Sequence, residues 1–221
     1  LKREQDYIAR RGFAVLHTDY RNHAFSDKDL SIIEEKTPGR SAKYGSDSIN
    51  AIYAVREAVK NGMKELAGVN PERVGMLGHS MGGGVTMYAL VAHPDLIDAA
   101  VLYAPVHMNE MYNFERWMKP RLSKDEYANL EKEIGSLTNS GTFIPISPEG
   151  YLDRIKTPIQ MYWGTADDSC PIEWGRYMSG AFERAGVNLE YTEYRGEGHE
   201  YSREWTNFME GVVEFYREAL K

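Results

Sequence analysis

Apolar residues fall along this chain in short dense runs separated by longer stretches of helical spacing. Leu1 to Arg11 is charged with apolar points at Tyr7 and Ile8, which predicts the end of a helix stopped by Gly12. Phe13-Ala14-Val15-Leu16-His17 predicts a short buried strand, followed by the loop Asp19-Tyr20-Arg21-Asn22. Ile49, Ile52, Val55 and Val59 recur at the period of a helix between Tyr44 and Lys60. Asn70-Pro71-Glu72 reads as a turn into a strand from Arg73 to Leu77, and a helix over Val85 to Ala92 ends at His93-Pro94. Further strands are predicted at Ala99–Tyr103, closed by Pro105, at Ile159–Trp163 and at Leu189–Tyr194. Helices are predicted over Ile172–Ala185 and Glu204–Leu220, the latter with Trp205, Phe208, Met209, Val212, Phe215 and Leu220 along one side. Strands that alternate with helices imply an α/β fold with a mostly parallel sheet covered on both faces.

One stretch breaks this rhythm. Residues 107–150 pack Met108, Met111, Tyr112, Phe114, Trp117 and Met118 into a charged, irregular segment. It reads as a lid-like insertion or pocket wall within one domain spanning 1–221. His107, Tyr112 and Trp117 are candidate substrate-pocket residues because the segment interrupts the fold at the rim of the expected site.

Composition narrows the function classes. The chain has 221 residues and a net charge of −7, with its cations scattered, so neither a nucleic-acid partner nor an anionic membrane surface is expected. No apolar stretch approaches the roughly 20 residues of a bilayer span. The first residues carry no apolar signal region, and without an initiator Met the native N-terminus is expected upstream. Cys170 is the single cysteine, so no internal disulfide is expected; it reads as a small buried apolar residue. No His, Cys and carboxylate spacing suggests a metal site, and Gly82-Gly83-Gly84 lacks the lysine of a phosphate-binding loop, so no cofactor is expected.

The candidate chemistry begins at Gly78-His79-Ser80-Met81-Gly82, a G-x-S-x-G motif that follows the apolar run Val74 to Leu77 and precedes a helix. Strand, motif and helix together form the sequence signature of a nucleophile elbow. The sharp turn requires small neighbours, expected to be Gly78 and Gly82, while Gly83 and Gly84 bring the helix close to the sheet. A serine hydroxyl needs a base to take its proton, and an imidazole held by a carboxylate suits that task. Both partners follow in chain order. Gly164-Thr165-Ala166-Asp167-Asp168-Ser169-Cys170-Pro171 comes after one predicted strand, and Gly196-Glu197-Gly198-His199 after the next. Ser80 and His199 are thus candidate nucleophile and base. His79, the variable residue of the elbow, is a candidate pocket residue; His17 reads as a core or rim residue, His23 as a loop residue and His93 as a surface group.

On these residues, together with Arg11 to Val15, Asp19-Tyr20-Arg21, Asn70 to Val74 and Ile155-Lys156-Thr157-Pro158, the chain resembles the catalytic domain of an α/β-hydrolase. It is most similar to the prolyl oligopeptidase-like serine peptidases and to their esterase relatives of the dienelactone hydrolase type. The resemblance implies acyl transfer to water through an acyl-enzyme, on a small ester or peptide substrate. The family pattern G-x-x-D-x-x-V-P places the acid at Asp167 rather than Asp168, with Cys170 in place of the usual Val. It also implies two oxyanion donors. One is the backbone N–H of Met81; the other belongs to a loop after a strand expected between residues 13–17 and 73–77, which this sequence does not contain. The first strands of the fold are therefore expected outside this chain, in a preceding segment or a second chain that completes the sheet and the oxyanion hole. Peptidase and carboxylesterase are both compatible with the residues, and a non-catalytic binding protein of the same fold is the alternative of another class.

Overall fold

The structure is a computed structural model that describes residues 2–28 and 38–221. In chain order, α1 (Lys2–Ala9) and α2 (Arg40–Lys60) precede strand β1 (Gly75–His79), and α3 (Met81–Ala92) leads to β2 (Ala99–Tyr103). The short helices α4 (Glu110–Asn113), α5 (Lys124–Ile134) and α6 (Ser140–Phe143) occupy the irregular segment. Then β3 (Ile159–Gly164), α7 (Ile172–Arg184), β4 (Leu189–Tyr194) and α8 (Trp205–Ala219) restore the alternation. The four described strands pair in the order β1-β2-β3-β4, all parallel, with Gly75 opposite Ala99 and His79 opposite Tyr103.

Side-chain alternation divides the core in two. Ala100 and Leu102 of β2 and Ile159, Met161 and Trp163 of β3 face Met87 and Leu90 of α3, Ile49 of α2, and Met178 and Phe182 of α7. Ala99, Val101 and Tyr103 of β2, with Tyr162 of β3, face Ile8 of α1 and Phe208, Met209, Val212 and Tyr216 of α8. Both central strands are buried along their whole length, which is why they read as near-continuous apolar runs, broken only by Gln160 in β3. No helix of the described residues is long and apolar enough to cross a membrane.

The expected strand at 13–17 does not form. These residues are outside any ladder, with Val15 and Leu16 39% and 58% exposed. A β-branched run becomes a strand only where a neighbour accepts its backbone hydrogen bonds. Here a groove of about 650 Å³ lies between residues 12–17 and the outer side of β1, walled also by α1 and Tyr216. β1 itself is an edge among the described strands, and its first residue, Gly75, is exposed.

The segment 107–150 carries its own apolar cluster of Phe114, Met118, Leu137 and Phe143, separate from both faces of the sheet. Helix α5 begins on a capping box in which Ser123 Oγ accepts the Glu126 N–H and Glu126 accepts the Ser123 N–H.

Candidate active site

Ser80 occupies the step between β1 and α3 with φ 54° and ψ −118°, in a left-handed region that non-glycine residues rarely adopt. The surroundings hold it there. Its N–H donates to the Tyr103 carbonyl at 3.0 Å, and its own carbonyl accepts from Gly83 and Val106, both at 3.0 Å. A Cβ on Gly78 would stand 2.2 Å from the Gly82 carbonyl oxygen, so the turn admits only glycine there. Gly83 would collide with Pro105 at 2.4 Å, in line with the close helix–sheet approach expected at this position. Gly82 differs from expectation: the nearest atom to an added Cβ is the Tyr20 hydroxyl at 4.0 Å. The elbow needs a bare backbone before the serine, because the residue 82 carbonyl is pressed against it, while a Cβ on residue 82 itself would meet open space.

The acid loop follows β3. Asp167 is buried, and its Oδ1 accepts the N–H groups of Ser169 and Cys170, both at 2.8 Å. These two bonds leave Oδ2 aimed at His199 Nδ1, 2.8 Å away. Asp168 is exposed, and its carbonyl accepts a hydrogen bond from Arg116 in the insertion. The Cys170 thiol is fully buried and interacts with the Ser80 side chain. Desolvation foremost, and the nearby Asp167 charge, push it up to about 12, so it stays a neutral thiol.

The loop after β4 brings His199 across the strand ends to the tip of β1. Its ring lies 4.5 Å from that of His79, the residue before Ser80. Among the hydrogen bonds of the described residues none joins Ser80 Oγ to His199; such contacts tighten when substrate binds. Glu197 fixes the loop from below. Its buried carboxylate accepts the N–H groups of Ser202, Arg203 and Glu204 at 2.6, 3.1 and 3.3 Å, just before α8. Burial alone would raise its pKa, but these three bonds outweigh it and hold the carboxyl below the usual range. In the sequence Glu197 is a single charge between two glycines and belongs to no catalytic motif of its own. The available signal was its position a few residues ahead of a helix whose first N–H groups need acceptors.

A cavity of about 210 Å³ opens beside Ser80, walled by Met81, Val106, Trp117 and Met118 with Arg40 and Glu110. Of the expected pocket residues, Trp117 lines it. Tyr112 and His107 do not: their rings pack at a tilt on each other at 4.1 Å, with Tyr177 and Trp174 also against His107. His107 is buried, its Nδ1 accepts the Asn109 N–H, and desolvation lowers its pKa to about 4. It serves as a packed neutral ring rather than a pocket group. His79 also lies outside this cavity, between the rings of His199 and Tyr103. Met81 does line it, and its N–H belongs to the first turn of α3, where N–H groups have no intrahelical acceptor.

The profile of the prolyl oligopeptidase family matches residues 1–221. An acylamino-acid-releasing enzyme of Arabidopsis thaliana is 25% identical over 93% of this chain and 26% of its own length. A probable carboxylesterase, SOBER1-like, of the same plant is 28% identical over 77% of this chain and 52% of its own. A puromycin-hydrolyzing peptidase of Mycobacterium tuberculosis superposes with a TM-score of 0.60 at 23% identity, covering 82% of this chain and 27% of that structure. The chain thus spans about a quarter of the length of the peptidases it matches.

Proposed function

The chain belongs to the prolyl oligopeptidase family, and from that premise we propose that Ser80, His199 and Asp167 are its nucleophile, base and acid. Its relatives are serine peptidases and esterases, and the protein is a serine hydrolase of that family. The observation that carries the assignment of residues is the 2.8 Å contact of Asp167 Oδ2 with His199 Nδ1, delivered beside the elbow.

In the proposed cycle His199 Nε2 takes the Ser80 proton as Oγ attacks an ester or amide carbonyl carbon. The carbonyl π electrons move to the oxygen, which the Met81 N–H stabilises. Collapse of that intermediate expels the alcohol or amine, which takes the proton back from His199. Water then repeats the sequence on the acyl-enzyme and frees Ser80. Asp167 holds the His199 tautomer and balances the imidazolium formed at each stage.

A peptide-bond substrate is the reading favoured by family and by the acylamino-acid-releasing relative. The narrow cavity and the carboxylesterase relative favour small esters as the second reading. Labelling with a fluorophosphonate probe followed by peptide mapping tests the nucleophile: the tag is expected on Ser80, and a labelled protein without it there refutes the assignment. Turnover of p-nitrophenyl butyrate beside aminoacyl and dipeptidyl nitroanilides separates the two substrate classes.

The same reading includes a further strand alongside β1, from a preceding segment or a second chain, whose loop supplies the second oxyanion donor. The open side of β1 and the groove of about 650 Å³ support it.

A further inference from the structure

β1 and β2 end level, with His79 and Tyr103 as register partners at their tips. Both side chains reach the backbone of the loop that carries His199. His79 Nε2 stands 2.9 Å from the His199 carbonyl oxygen. A carbonyl can only accept, so this nitrogen carries the proton and the tautomer of His79 is fixed. The Tyr103 hydroxyl accepts the Tyr201 N–H at 2.6 Å. The loop is therefore held on either side of Glu200 by two groups that the strand ladder itself fixes. Ring packing seals the arrangement: His79 lies 4.2 Å from Tyr103, and Tyr103 lies 4.4 Å from Tyr201.

This anchoring answers a geometric need. The loop leaves the sheet at β4, three strand spacings from β1, or about 14 Å. Its root is fixed on the β3–β4 side, where Thr165 Oγ1 accepts the Gly196 N–H and the Glu197 carbonyl accepts the Ala166 N–H, and Asp167 holds only the His199 ring, so the main chain of residue 199 must be set from β1. A free tip at the end of such a lever would move by more than the distances that matter in proton transfer. We propose that His79 is a positioning residue: its Nε2–H holds the His199 main chain, with Tyr103 as the second anchor, so that the imidazole stays in register with Ser80. The proposal rests on the reading of His199 as base. Burial lowers the pKa of His79. A neutral donor holds the loop without placing a second positive charge beside the imidazolium that forms during the reaction.

The test compares His79→Phe, which keeps an aromatic ring but loses the donor, with His79→Gln, whose amide N–H can reach the same carbonyl. Turnover of p-nitrophenyl butyrate is measured on the intact protein, with melting temperatures to confirm folding. In H79F, kcat should fall between about ten- and a hundred-fold, the scale of a misplacement near 1 Å, with KM within about two-fold. H79Q should recover to within about five-fold of wild type. Tyr103→Phe, which removes the second anchor, should lower kcat in the same way and serves if H79F does not fold. Unchanged kcat in H79F, or H79Q no better than H79F, overturns the proposal. His199→Ala separates the two readings. If it retains turnover, His199 is not the base; if it is inactive while H79F is unimpaired, the anchoring alone fails.

Discussion

Asp167 meets His199 at 2.8 Å through the one carboxylate oxygen that its own loop leaves open, while Asp168, its neighbour in the chain, faces solvent. The two N–H bonds to Oδ1 do more than satisfy a buried group: they fix the direction of Oδ2. Asp167→Asn keeps the shape but presents an amide, which favours the wrong tautomer of His199. Turnover is expected to fall about ten-thousand-fold, the loss seen for the same change in another serine hydrolase. Asp168→Asn should stay within about three-fold of wild type, as expected for an exposed side chain. Equal losses in the two variants would show that the loop, and not the carboxylate, is what matters.

The elbow glycines give opposite expectations. Gly78→Ala forces a methyl against the Gly82 carbonyl, a backbone atom that cannot swing aside. A cost of about 3 kcal/mol or more is expected, enough to lower the yield of folded protein. Gly82→Ala meets open space and replaces a helical glycine, so stability should be unchanged or rise by about 0.5–1 kcal/mol. Denaturant unfolding of both variants checks the pair, and destabilisation by G82A comparable to G78A contradicts this account.

Much of this arrangement was legible beforehand. β2, β3 and β4 declare themselves because their side-chain pattern follows from burial, which local sequence records. The contact of Asp167 with His199 could be read because each residue follows a strand in a recognisable loop. Residues 13–17 misled for a physical reason: apolar character is local, whereas strand pairing depends on what lies alongside. The role of His79 was hidden because the middle of a G-x-S-x-G motif says nothing about which backbone its ring reaches. The place of His107 and Tyr112 in the insertion points to the pocket, but their rings pack at a tilt on each other, and on Trp174 and Tyr177, instead of lining the cavity beside Ser80.

Glu197 links the candidate site to acid stability. A carboxyl whose folded pKa is depressed contributes stability above its unfolded value, near 4.3, and loses it as pH falls through the folded value. The melting temperature should therefore decline as pH drops below about 5, with Glu197 contributing part of the slope. Glu197→Gln should flatten this decline, because its amide oxygen can keep the Arg203 and Glu204 N–H bonds at any pH and gives up only the Ser202 bond, which runs to the other carboxylate oxygen. Glu197→Ala leaves those donors without their acceptor and is expected to cost roughly 2–3 kcal/mol at neutral pH. An identical slope in wild type and E197Q would remove Glu197 from the explanation.

Hydrogen exchange tests the proposed strand beside β1. In the intact protein the outward-facing amides of residues 75–79 should exchange slowly, since a neighbour would accept their hydrogen bonds. In the 221-residue chain alone they should exchange fast, while β2 and β3 stay protected in both. Rapid exchange over residues 75–79 in both preparations would mean that nothing pairs there.

The separate apolar cluster of Phe114, Met118, Leu137 and Phe143 has a consequence for descent. Because these residues pack on one another and not on the sheet, changes among them need not disturb the scaffold that aligns the reacting groups. Drift and selection can therefore reshape the wall that Met118 lends to the cavity beside Ser80 while sparing the sheet. Transplanting the segment between homologues is the natural laboratory counterpart of that freedom.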